Sequence, residues 1–168
     1  MKQLIVDYLP FEISSQQINE SIKTNDGRLV VKGVLQRAES QNQNGRVYPK
    51  DLLMREAKKY TENFINQKRA LGELDHPDSS VVNLQNTSHN VTEMHFNGDD
   101  LVGTVEVLGT PSGNILKELF KSGIKLGISS RGLGSVESVG KDQKYEQRPD
   151  CGIWCKTEQL IHDIITER

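Results

Sequence analysis

The stretch Lys125-Leu126-Gly127-Ile128-Ser129-Ser130-Arg131-Gly132-Leu133-Gly134-Ser135 carries two adjacent serines, an arginine and glycines on both sides. Read as a strand, it sorts by parity, because successive side chains point to opposite faces. Leu126, Ile128 and Ser130 share one face; Gly127, Ser129 and Arg131 share the other. Parity thus predicts Ser130 inward among apolar residues and Ser129 facing open space with small neighbours and a cation. A serine so placed, beside backbone that can approach a substrate, suits acyl transfer. The competing reading is a polar turn rich in glycine and serine.

Outward from this strand, the order of elements predicts the fold class. Thr110-Pro111 opens a helix with a threonine cap and a proline in the first turn. Its apolar stripe is Ile115, Leu116, Leu119 and Phe120, and Gly123 ends it. Before it, His89 to Leu108 reads as a hairpin turning at Asn97-Gly98-Asp99-Asp100. Leu53, Ala57, Tyr60 and Phe64 recur at helical spacing and predict a helix from Lys50 to Ile65, started by Pro49. Leu29 to Leu35 and Leu4 to Val6 read as strands, with a turn at Asn25-Asp26-Gly27-Arg28. Ala70 to Pro77 is extended, and Leu160 to Ile165 is a final buried strand. Phe11 to Ile22 and Tyr145 to Cys155 give no clear pattern. About six or seven strands and two helices, without βα alternation, predict α+β with a mainly antiparallel sheet or barrel.

Composition narrows the function. The 168 residues suit one domain, 1–168, able to bury roughly two-thirds of its unfolded surface. Hydrophobic content is 35%, charged content 26% and formal net charge −2, which argues against a general nucleic-acid binder. No apolar run approaches a membrane span, and the first residues break their apolar run at Asp7. With only Cys151 and Cys155, a reducing, cytoplasm-like compartment is expected.

Three residues offer linked chemistry. His76 precedes a proline at the end of an extended run, Ser129 lies in the strand above, and Asp163 is an acid inside an apolar segment. They supply a base, a nucleophile and an orienting acid. A carboxylate in Leu160 to Ile165 is costly unless paired, and a histidine N–H suits it. His162 competes with Asp163, since neighbours on a strand face opposite ways and both faces are apolar. Asp75 could orient His76 locally, but neighbours in an extended chain diverge. The amides around Ser130, Arg131 and Gly132 are candidates for an oxyanion hole, with Arg131 bracing that segment, binding an acidic group or solvated. Cys151, Cys155 and His162 fit common zinc frames poorly, so no metal is expected. His89 and His95 fall on one face of a regular strand and read as structural or exposed.

Several motifs in order resemble the prohead core proteases of T-even-type tailed phages. They are Asn44-x-Arg46-x-Tyr48-Pro49, Gly72-Glu73-Leu74-Asp75-His76-Pro77, Ser88-His89, Thr110-Pro111-x-Gly113 and Gly127 to Ser135, covering roughly Val30 to Ile165. The resemblance implies a β-barrel flanked by helices, similar to the herpesvirus capsid maturation proteases. It implies a serine endopeptidase, free of cofactor, that cuts scaffold and major capsid proteins inside the assembling prohead in the host cytoplasm. The family's histidine falls on His76, its serine on Ser129 and its aspartate on Asp163; herpesvirus relatives use a second histidine, which keeps His162 open. No nucleic acid or membrane is implied, and a homo-oligomer is left open. Asp75 stands where some relatives carry Asn, and the chain ends five residues after Asp163, without the C-terminal tail many relatives carry. The family's preference for an aliphatic residue, any residue, then Glu makes Ile18-Asn19-Glu20 and Ile165-Thr166-Glu167 candidate self-cleavage sites.

Overall fold

The computed structural model describes residues 3–75, 81–138 and 153–166. The chain opens with β1 (Gln3–Phe11) and α1 (Ser15–Thr24), then β2 (Val30–Arg37) and β3 (Arg46–Val47). Next come α2 (Lys50–Tyr60), extended by a π-helical turn (Thr61–Ile65), and β4 (Leu71–Glu73). A 3-10 turn (Leu84–Asn86) leads into the hairpin β5 (Thr87–Asn97) and β6 (Asp100–Val107). Last are α3 (Pro111–Lys121), β7 (Leu126–Ser138) and β8 (Ile153–Thr166).

The strands form two four-stranded sheets, ordered β1-β7-β8-β3 and β2-β6-β5-β4. Every pair is antiparallel except β3 with β8. The α+β class with antiparallel sheets is as expected; among the described residues there is no closed barrel. Two seams stay open, between β1 and β2 and between β4 and β8. At the seam between β1 and β2, the Phe11 ring lies over Gly33, where a Cβ would come within 2.6 Å of it. At the other, β4 is only three residues long, and its ladder with β5 shifts register between Gly72 and Glu73.

Local chemistry explains the elements. The helix expected from Lys50 to Ile65 is found over that span, its last turn π-helical, with Leu53, Ala57 and Tyr60 buried and Phe64 stacked on Tyr60 at 5.4 Å. In α3, Thr110 Oγ1 accepts from the Gly113 N–H at 3.0 Å and caps the helix. Leu116 and Phe120 are buried, but Ile115 is 54% exposed, because α3 turns a narrower stripe inward than its apolar residues suggested. The unassigned stretch after Phe11 holds α1, capped by Ser14 and anchored by Ile18 and Ile22. The main core joins Phe11, Ile18, Leu29, Val31, Leu116, Phe120, Leu126 and Ile128; a second cluster joins Ile5, Tyr48, Leu53, Ala57 and Leu101. His89 is fully buried and His95 half-exposed, because a register shift between Val91 and Glu93 breaks the parity that would have aligned them. No helix among the described residues is long and apolar enough to cross a membrane.

Candidate active site around the serine strand

β7 is an interior strand, paired along one edge with β1 and along the other with β8. Leu126 and Ile128 enter the main core, as parity predicts. Ser129 does not face open space: it is 0% exposed, and Ser130 is 3% exposed. The reason is that a strand covered on both faces hides both of its parities. Ser129 Oγ donates to the main-chain carbonyl of Asp7 at 3.2 Å. Ser130 Oγ reaches the same carbonyl at 3.5 Å and accepts from Gln36 Nε2 at 3.3 Å. Ser130 faces inward as expected and lines a mixed cleft of about 200 Å³, whose walls include Leu9, Pro10 and Leu35 as well as Asp7, Gln36 and Tyr48.

Arg131 is neither solvated nor free to meet a substrate acid. It is 0% exposed, and its Nη2 lies 2.5 Å from Oε2 of Glu73, also 0% exposed. Sequence reading missed Glu73, although an acid between Gly72 and Leu74 at a strand end is costly to bury unless paired. Ser130, Arg131 and Gly132 lie within β7 with ladder partners on both sides.

The ladder between β7 and β8 pairs Ser129 with Asp163 and Ser130 with His162. Directly opposite residues of an antiparallel pair share a face of the sheet. Asp163 therefore sits on the face of Ser129 and Arg131, and His162 on the face of Ser130. His76 lies outside the described residues, as do Cys151 and Glu167. Asp75, the residue before His76 in sequence, has a φ of +67°. Among the described residues, no group of three or more His, Cys, Asp or Glu could hold a metal ion. Of the two self-cleavage triplets, Ile18-Asn19-Glu20 is helical within α1 with Ile18 buried.

A second cluster was not foreseen. Asn44, from the turn before β3, Arg46 in β3 and Tyr48 just after it converge on the Asp7 carboxylate. Asn44 Nδ2 and Arg46 Nη1 each donate to Oδ1 at 2.8 Å, and Tyr48 Oη donates to Oδ2 at 2.5 Å. The signal was present: three polar residues at period two, and an acid in the middle of β1. What sequence lacked was their meeting across 37 to 41 positions.

Comparison with known proteins follows the same residues. A family model described as prohead core protein serine protease matches residues 5–148. The prohead core protein protease of Enterobacteria phage T4 is 32% identical over 129 residues, which cover 71% of this chain and 61% of that relative. Among solved structures, the bacteriophage T4 capsid assembly protease matches with a TM-score of 0.81 at 22% identity, over 99% of both chains. That last likeness is one of fold.

Proposed function

The chain belongs to the prohead core protein serine protease family, and on that premise we propose that it is a serine endopeptidase cutting scaffold and capsid proteins within the assembling prohead. The observation that carries the reading is the ladder register, which pairs Ser129 with Asp163 on one face of β7 and β8. Arg131 on that same face holds Glu73, three residues ahead of His76 in sequence. In the proposed reaction His76 takes the Ser129 hydroxyl proton as Oγ attacks the peptide carbonyl. Asp163 holds the histidine tautomer and stabilises the imidazolium. His76 then gives the proton to the leaving amine, and water, activated by the same ring, hydrolyses the acyl-enzyme. Catalytic hydrogen bonds often tighten only once substrate binds, so a resting Ser129 turned to Asp7 fits this role. Self-processing after Glu167 belongs to the same proposal. So does the herpesvirus-like fold, read here as a barrel opened along its β1–β2 and β4–β8 seams.

A second reading, a non-catalytic capsid-core component with the same fold, is favoured by the complete burial of Ser129. One experiment separates them. The purified chain is mixed with its phage's scaffold and major capsid proteins, and products are identified by mass spectrometry. The protease reading expects defined cleavages that vanish in Ser129→Ala. Cleavage that persists in Ser129→Ala, or no cleavage by the unaltered chain, overturns it.

A further inference from the structure

We propose that Glu73 is a positioning residue for the Ser129 reaction, acting through its buried ion pair with Arg131. The inference rests on the serine-protease reading. The pair is fully buried on both sides, at 2.5 Å. Burying two charges is costly, and well-packed apolar residues often serve stability as well or better, so this pair calls for a role besides stability. Its geometry supplies one. Arg131 shares the face of Ser129 two residues along β7. Glu73 is the last residue of β4, a three-residue strand at the edge of its sheet, paired with β5. A register shift between Gly72 and Glu73 re-aims the glutamate, the kind of irregularity that accumulates beside active sites. Two residues later, Asp75 turns with positive φ. The Glu73 carboxylate thus fastens the end of β4 to the strand that carries the serine. A planar guanidinium and a carboxylate hold a defined orientation that an apolar pair does not.

The test uses the full chain with Glu73→Gln, Glu73→Asp and the double variant Glu73→Met/Arg131→Met, which keeps the site foldable by removing both charges. A positioning role predicts that the double variant unfolds near the wild-type Tm, yet loses about 100-fold in kcat against a scaffold-derived peptide with little change in KM. Glu73→Asp is expected to recover part of that loss. The second readout needs no turnover: the ring resonances of His76 by NMR. Ser129→Ala should shift them in the wild-type background and fail to do so in the double variant. Wild-type kcat in the double variant, or an unchanged Ser129→Ala shift there, overturns the positioning role while leaving the protease intact. If Ser129→Ala leaves His76 unmoved in the wild-type background and no peptide is cut, the serine-protease reading fails, and this inference falls with it.

Discussion

Ser129 donates its hydroxyl to the main-chain carbonyl of Asp7, and the carboxylate of Asp7 is gripped in turn by Asn44, Arg46 and Tyr48. A single residue of β1 thus joins the serine strand to the segment leading into α2. The Asp7 carboxylate is 5% exposed and Arg46 is 25% exposed, so the ion pair lies at the edge of the interior.

Breaking this hub is expected to destabilise in proportion to the charged hydrogen bonds lost. Tyr48→Phe removes one donor to a carboxylate and should cost about 1.5 kcal/mol. Asp7→Asn weakens the contacts of all three partners and should cost more, about 3 kcal/mol, moderated by the water that reaches Arg46. Urea unfolding followed by circular dichroism measures both. Equal stability of Asp7→Asn and the unaltered protein would show that the hub is not what holds β1.

The choice between Asp163 and His162 is the sharpest kinetic question. The register pairs Asp163 with Ser129 and His162 with Ser130. Asp163→Asn should leave folding intact and lower kcat by about 10⁴-fold, because the carboxamide no longer holds the histidine tautomer. His162→Gln should stay within about tenfold of the unaltered protein, since it lies on the other face of the sheet. Steady-state kinetics on a scaffold-derived peptide decides this. The reverse ranking would mean that the second-histidine arrangement operates here.

That question was left open by sequence for a physical reason. Parity assigns residues of one strand to faces, but only pairing says which residue of the next strand shares the face. Local signals were otherwise read well. The Leu53, Ala57 and Tyr60 spacing set the limits of α2, the Thr110-Pro111 cap set the start of α3, and Asn97-Gly98 set the hairpin turn. Long-range facts were not legible. Ser129 was expected in open space, yet it is fully buried, because a strand's own sequence does not state what packs over its polar face. Glu73 and Asp7 each look like an acid in a strand until Arg131 and Arg46 are brought to them. His89 and His95 were misaligned by one inserted residue in the ladder, which leaves no clear mark in composition.

The seam between β1 and β2 can be tested directly. A Cβ at Gly33 would lie 2.6 Å from Cε2 and 3.1 Å from Cδ2 of Phe11. Phe11 is buried in the main core, so its ring has little room to retreat. Gly33→Ala should therefore destabilise by about 2 kcal/mol, although alanine is otherwise the better strand residue. Adding Phe11→Leu should recover part of the loss, since the smaller side chain vacates the contact. Thermal unfolding of the two single variants and the double variant measures this coupling. Strict additivity of the two changes would remove the ring from the explanation.

The Thr110-Pro111-x-Gly113 motif joins α3 to the sheet through two separate contacts, which predicts a ranking. Thr110 Oγ1 accepts from the Gly113 N–H at 3.0 Å and donates to the carbonyl of Thr87 at 2.5 Å. Gly113 lets the first turn approach so closely that a Cβ there would collide with the carbonyl oxygen of Leu108 and come within 2.9 Å of that of Ser88. Thr110→Ala loses a cap and a tie to β5 and should cost about 1–2 kcal/mol. Thr110→Ser keeps the hydroxyl and should cost well under that. Gly113→Ala is the more severe change despite its gain in helix propensity, because the obstruction is main chain, at Leu108 just after β6 and at Ser88 in β5, and cannot rotate away. Its expected cost is about 3 kcal/mol. Ser88 and His89 sit directly beneath this contact, fully buried, with Ser88 Oγ 2.8 Å from His89 Nδ1. Gly113→Ala should therefore also shift the His89 ring signals in NMR spectra, and Thr110→Ser should leave them in place. If Gly113→Ala matches wild-type stability to within about 0.5 kcal/mol, α3 does not seat on β5 as described, and the motif is no more than a helix cap.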